Sequence, residues 1–178
     1  MSKNICLILF FFASQCFSDE ISIRVDISEQ RLYVYSDNKL THSFAISSSM
    51  FGEGSMVNSY KTPLGKHSIQ SIIGRDAEPN TIFISRINTK RKARIINEHK
   101  DSDDDYVTSR IMWLTGEEDG FNKGSGVDSY SRYIYIHGTH EEGLIGSKAS
   151  HGCIRMFNDD VIRLTNLVKK GTKVDITI

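Results

Sequence analysis

From Ile21 onward, apolar and polar positions alternate with a period of two. Ile21, Ile23, Val25 and Ile27 are separated by Ser22, Arg24 and Asp26, the pattern of a strand with one buried face. A Ser-Glu-Gln turn leads to a second such run, "RLYVYS" (31–36), and "SDNK" (36–39) turns the chain into "LTHSFAIS" (40–47). Three strands joined by short turns predict an antiparallel meander. Pro63 and Gly65 mark a turn before another strand, from about His67 to Ile73. "RYIYIHG" (132–138), rich in aromatic and β-branched residues, predicts a strand that stops at Gly138. The period changes once, in "NDDVIRLTNLVKKG" (158–171), where Val161, Ile162, Leu164, Leu167 and Val168 form a helical stripe. Asn158 is placed to cap this helix, Asp159 and Asp160 suit its positive end, and Lys169, Lys170 and Gly171 suit its finish. Alternation returns in "TKVDITI" (172–178). The expected fold is mainly β and sandwich-like, with one or more short helices, in one domain over 19–178.

The first residues follow another pattern. Lys3 precedes the apolar run "ICLILFFFA" (5–13), and the more polar "SQCFSDE" follows. A short positive region, a short apolar core and small residues after it read as a secretory signal peptide over 1–18. The run is too short for a transmembrane helix, which needs about 20 residues. Cys16 offers a second reading, a lipid-modified first residue, but Ala13-Ser14-Gln15 lacks the usual leucine before it. Both readings export the protein, to the periplasm or the cell-wall face.

Composition narrows the partners. Of 178 residues, 22 are Lys or Arg and 22 are Asp or Glu, so no basic surplus favours nucleic acid or an anionic membrane surface. The charges are unevenly spread: "KRKAR" (90–94) is followed by "DSDDD" (101–105). Asn88 to Asp105 is expected to be a solvated loop, with a lid beside a cleft as the alternative.

Export also changes the meaning of the cysteines. Cys6 leaves with the leader, and Cys16 either leaves or carries lipid, so Cys153 stands alone where cysteines normally pair. A lone exported thiol is reactive or awaits an intermolecular partner. Its setting, "ASHGCIRM" (149–156), is polar rather than apolar. A thiol attacks as thiolate and needs a base, for which histidine is suited. His151 lies two residues before it, and His137 ends a predicted strand sixteen residues before it. A base fixed on a strand end is the better oriented, and the glycine-bearing segment between is long enough to fold back. Gly152 permits a tight turn, and free N–H groups around Gly152 and Cys153 would stabilise an oxyanion. Arg155 would hold a substrate carboxylate or form a surface salt bridge. A competing zinc site would use His137, His140, His151 and Cys153, although their spacing matches no common zinc pattern.

The segments "IHGT", "GLIGSKASHGCIRM" and "NDDVIRL" resemble the catalytic motif of the YkuD-type L,D-transpeptidases, a histidine, a spacer and then Ser/Thr-His-Gly-Cys. "KTPLGKHSI" and "TKVDITI" resemble that family's upstream segment and closing strand, so the likeness covers essentially all of Ile21 to Ile178. The resemblance implies that Cys153 is the nucleophile and His137 the proton donor and acceptor, with the Gly138 carbonyl orienting the imidazole. Ser150, His151 and Gly152 would shape the acyl pocket and oxyanion hole, and Arg155 matches an arginine often found two residues after the cysteine. It further implies cleavage of the diaminopimelate–D-Ala bond of a peptidoglycan tetrapeptide stem, without metal or organic cofactor. The acyl group would pass to another stem, to a lysine of an outer-membrane lipoprotein, or to water, as an L,D-carboxypeptidase. Carbapenems would acylate the thiol. A non-catalytic peptidoglycan-binding protein is the alternative from another class.

Overall fold

The computed structural model describes residues 20–178; the expected leader and Cys16 lie outside them. Ten strands, one helix and one short 3-10 turn are described. The alternating N-terminal runs form β1 (Ile21–Asp26), β2 (Arg31–Ser36) and β3 (Lys39–Ser47), paired antiparallel as a meander. Asp37 and Asn38 join β2 to β3 with φ of 48° and 64°, the left-handed pair that a two-residue hairpin turn requires. Then follow β4 (Gly65–Ile73), β5 (Thr81–Ile84), β6 (Ile87–Lys92), β7 (Val107–Gly116), β8 (Tyr135–Thr139), β9 (Ile154–Met156), α1 (Asn158–Leu167) and β10 (Lys173–Thr177).

The sheet runs β4-β10-β1-β2-β3-β9-β8-β7, and β7 also pairs with β4. These eight strands therefore close into a ring with no open edge. The β5–β6 hairpin branches from the N-terminal half of β7. Inside the ring lie Val25, Leu32, Ile46, Leu114, Ile136, Ile154 and Met156, joined by Val161 and Leu164 of α1 and by Val168 just after it. No helix among the described residues is long and apolar enough to cross a membrane.

Three local expectations change. The strand ending in the histidine begins at Tyr135 and continues through Gly138 to Thr139. Gly138 is there for close approach: a Cβ would sit 2.7 Å from Asn158 Oδ1 and 2.8 Å from the Thr108 carbonyl oxygen. Asn158 is the first residue of α1, after Phe157 at the cap position. Its side chain is buried and committed elsewhere, accepting from Thr108 Oγ1 at 2.7 Å and Ser109 Oγ at 2.5 Å and donating to the Thr139 carbonyl at 2.7 Å. Finally, the charged stretch is only partly a loop. Ile87–Lys92 is strand β6, and the segment's far end is docked rather than free, as described below.

Candidate active site

β8 and β9 are parallel neighbours, with Ile136 opposite Ile154, His137 opposite Arg155 and Gly138 opposite Met156. Parallel strands need a crossover of a dozen or more residues, which accounts for the spacing between His137 and Cys153. Side chains alternate across a strand. Ile136, Ile154 and Met156 enter the main core, while Tyr135, His137, Cys153 and Arg155 take the opposite face. His137 and Cys153 are thus diagonal neighbours on one face of adjoining strands, a relation that usually places Cα atoms roughly 7–8 Å apart.

Opposite the His137–Gly138 step, β7 carries two extra residues between Thr108 and Ile111. Ser109, within this bulge, has φ 61°. Bulges re-aim side chains beside functional sites, and here Ser109 and Asn158 clamp the strand behind His137. His137 is 2 % exposed, and its Nδ1 donates to its neighbour Gly138's carbonyl at 2.7 Å. With the proton on Nδ1, Nε2 is the basic nitrogen. Burial pushes the imidazole down to about 4, against Asp105 and the Gly138 carbonyl, which favour the cation.

Cys153 is the free cysteine of the described residues and is half-buried. Its Sγ accepts from the Tyr135 N–H and donates to the Tyr133 carbonyl, both at 3.4 Å. Burial pushes the thiol up to about 12, although the Tyr135 N–H and the charges of Arg155 and Arg132 favour the thiolate. The resting pair is therefore neutral thiol and neutral imidazole. Before Cys153 the chain turns through Gly152, at φ 117°, a conformation that suits glycine. Ser150 Oγ donates to the Cys153 carbonyl at 2.6 Å and accepts from the Gly152 N–H at 3.2 Å. That N–H, expected to be free for an oxyanion, is held by Ser150. The Gly152 carbonyl accepts from buried Thr62 Oγ1 at 3.1 Å. His151 is exposed, tilted against the Phe51 ring and edge-on to that of Tyr60, with its Nδ1 2.9 Å from Asp105 Oδ2.

Arg155 is buried, which excludes the surface salt bridge expected as its alternative role. Its side chain is 1 % exposed; Nη1 donates to Glu141 at 2.9 Å and Nη2 lies 2.7 Å from Asp105. Glu141, itself 1 % exposed, also accepts from the N–H and hydroxyl of Ser102, each at 2.6 Å. Burial alone would raise the Asp105 carboxyl, but Arg155 beside it holds it below the usual range. Asp105 and Ser102 both belong to the charged stretch, whose far end is thereby fastened to the motif. The sequence reading missed both residues, along with Glu141. Their signal was indirect: an arginine in a mostly apolar strand needs a buried acid, and the connection between His137 and Cys153 supplies one.

The proposed zinc set is not gathered. His140 faces Ser102 and Tyr106 instead, and among the described residues no three His, Cys, Asp or Glu side chains have metal-holding geometry.

Removing one member of the buried pair should cost stability. Arg155→Ala leaves Glu141 buried without its cation, and a loss of about 3–5 kcal/mol is expected. Urea unfolding of Arg155→Ala beside the double variant Arg155→Met/Glu141→Leu measures it. The double variant should recover part of the loss, because the fully buried carboxylate is gone and only the partly exposed Asp105 is left without its cation.

Bacillus licheniformis YkuD is 52% identical over 50 residues, covering 28% of this chain and 30% of that protein. Escherichia coli YcfS is 42% identical over 48 residues, covering 27% of this chain and 15% of its own length. The matched stretches thus span less than a third of these relatives. Among solved structures, L,D-transpeptidase 3 from Mycobacterium tuberculosis, in complex with a faropenem-derived adduct, superposes with a TM-score of 0.57 at 19% identity. That match covers 90% of this chain and 61% of the other. An L,D-transpeptidase from Mycobacterium smegmatis gives 0.53 at 16% identity, covering 90% and 59%. At such identities the likeness is one of fold. The model of the YkuD family, described as the L,D-transpeptidase catalytic domain, matches residues 20–176, and with nearly the whole described chain inside that match, the protein belongs to this family.

Proposed function

We propose that the protein is a peptidoglycan L,D-transpeptidase that uses Cys153 as nucleophile and His137 as base. The observation that carries this reading is the fixed tautomer of His137: its Nδ1–H is spent on the Gly138 carbonyl, leaving a basic Nε2 on the face shared with Cys153. In the proposed reaction, Sγ attacks the diaminopimelate carbonyl of the donor's bond to D-Ala while its proton passes to His137 Nε2. The tetrahedral intermediate collapses as His137 returns the proton to the leaving D-Ala nitrogen, and a thioester remains. An acceptor amine then attacks the thioester and gives its proton to His137, and the thiol is regenerated. Ser150 and Gly152 shape the turn that presents Sγ. Asp105 and Arg155 act at a distance, by fixing the strand and the local charge. The expectation that carbapenems acylate this thiol draws support from the adduct of faropenem, a related β-lactam, in the M. tuberculosis structure. Export to the periplasm or cell-wall face fits the N-terminal pattern and the lone thiol.

The test is incubation with purified tetrapeptide-bearing muropeptides, followed by mass spectrometry. A crosslinked dimer supports transfer to a stem, a tripeptide product identifies water as the acceptor, and transfer to a lipoprotein lysine is read by adding a lysine-bearing acceptor peptide. Unchanged muropeptides, with no acyl group on Cys153, would overturn the reading.

The pH profile offers a separate check. An imidazole with the ordinary value near 6.5 would lose about 30-fold of its basic form on acidification to pH 5. With burial holding His137 at about 4, most of the base stays neutral there. The thiol, pushed up to about 12, stays protonated throughout. The acylation rate is therefore expected to change by less than about twofold between pH 7 and pH 5. Stopped-flow acylation across that range measures it, and a steep loss centred near 6.5 would contradict the neutral resting pair.

A further inference from the structure

We propose that Arg86 is a specificity residue that takes a free carboxylate of the peptide bound at Cys153; this rests on the transpeptidase reading above. Arg86 stands at the tip of the β5–β6 hairpin, where Ser85 and Arg86 both have positive φ, 48° and 69°. A two-residue turn of this kind is most easily made by Asn and Gly, so the larger side chains there are not explained by the turn. The residue is partly exposed, and its guanidinium lies over two aromatic faces, 4.7 Å from the Trp113 ring and 4.9 Å from the Tyr133 ring. Its Nη1 donates to Tyr135 Oη at 3.0 Å. Among the described residues no carboxylate forms an ion pair with it, in contrast to Arg155. A guanidinium has five N–H donors in a planar fork, suited to a carboxylate.

Its position links it to the thiol. Arg86 borders a cavity of about 360 Å³ whose walls include Phe83, Ile111, Tyr133 and Tyr135. The backbone of Tyr133 and Tyr135 makes both hydrogen bonds of Cys153 Sγ, and Cys153 packs against the cluster that contains Tyr135, Phe83 and Ile111. One wall thus serves both the cavity and the nucleophile. The cavity is within the size range of small-molecule pockets, is mostly aromatic and apolar, and carries one cation without an acidic partner. A peptide segment entering it would meet apolar walls and a single charged anchor. Peptide stems supply the matching group, since diaminopimelate and D-glutamate both retain carboxylates outside the main chain. The stem in question is either donor or acceptor, and kinetics separate the two.

The competing role is purely structural, with Arg86 bracing the ring cluster by cation–π contact. The experiment compares wild type, Arg86→Gln and Arg86→Lys with tetrapeptide donors and tripeptide acceptors. Each peptide is used with its carboxylates free, or with the D-glutamyl or the diaminopimelyl side carboxylate converted in turn to the amide. For wild type, one amidation should lower kcat/KM by about 10- to 100-fold, the worth of a charge-assisted hydrogen-bond pair. The peptide and carboxylate that show the effect identify the group Arg86 reads. Arg86→Gln should lose about the same factor on the free acid yet treat acid and amide nearly alike. Arg86→Lys should fall between, because it keeps charge and loses the fork. If Arg86→Gln and Arg86→Lys both lose the same factor on acid and amide, the residue only braces the rings and the proposal fails. If wild type turns over stem peptides but no amidation matters, the proposal fails while the transpeptidase reading stands. If wild type turns over no stem peptide, both fall together.

Discussion

Cys153→Ser is expected to fold as the parent does and to lose turnover by about 10⁴-fold or more, the scale on which removal of a nucleophile acts. Serine preserves the shape and can still bridge the Tyr135 N–H and the Tyr133 carbonyl, the partners of Sγ. What it lacks is an ionisable nucleophile. Burial pushes the Cys153 thiol up to about 12, which already makes proton removal demanding, and an aliphatic hydroxyl surrenders its proton far less readily. A neutral imidazole that can take the thiol's proton during attack cannot do the same for the hydroxyl at a useful rate. The loss should therefore fall on acylation, with peptide binding retained. Intact-protein mass spectrometry after carbapenem treatment reads it directly. Wild type should gain one adduct, and Cys153→Ala and Cys153→Ser none. An adduct persisting in Cys153→Ala, or transpeptidase activity near wild type in that variant, would sink the assignment.

His137→Ala should lower the acylation rate by about 10²–10⁴-fold, whereas His151→Ala should cost considerably less. The two histidines differ in every respect that bears on base catalysis. His137 is buried, on a strand, and held in one tautomer by the Gly138 carbonyl. His151 is exposed, its Nδ1 faces Asp105, and the Phe51 and Tyr60 rings lie beside it, so in the proposed mechanism it would shape the pocket rather than move the proton. Single-turnover acylation distinguishes base loss from pocket damage: the first lowers the maximal rate, and the second raises the substrate concentration needed to reach it. A larger drop in maximal rate for His151→Ala would reverse the two roles.

Much of this protein was legible before its fold was seen. The period-two runs located β1, β2 and the core of β4 and β10, because a half-buried strand must alternate. Helix α1 was legible for the same kind of reason, with Val161 and Leu164 on its buried stripe and Val168 buried just beyond its end. The expected pair of reactive residues was equally local, since "SHGC" and "IHGT" stand out by residue type alone. Gly138, by contrast, was misread as a stop signal. A glycine in a sequence reports only the lack of a Cβ, and whether that ends a strand or admits a neighbour depends on what packs there. Here Thr108 and Asn158 do.

The sequence by itself determined the strand period, helix α1, and the ordered His-to-Cys motif, all properties of residues close along the chain. Only the tertiary structure decided that β8 and β9 lie parallel, which brings residues sixteen positions apart onto one face. It also decided that β7 closes the ring against β4, and that Arg155 is sealed between Glu141 and Asp105. Asp105 shows the reason most clearly. In the chain it is one of several acidic residues in a charged run, indistinguishable from its neighbours. The fold sets it against an arginine 50 residues later, and its weight comes from the reduced exposure to water it shares there. Pairing, burial and the electric field at a site are sums over residues distant in sequence, and local pattern carries no record of them.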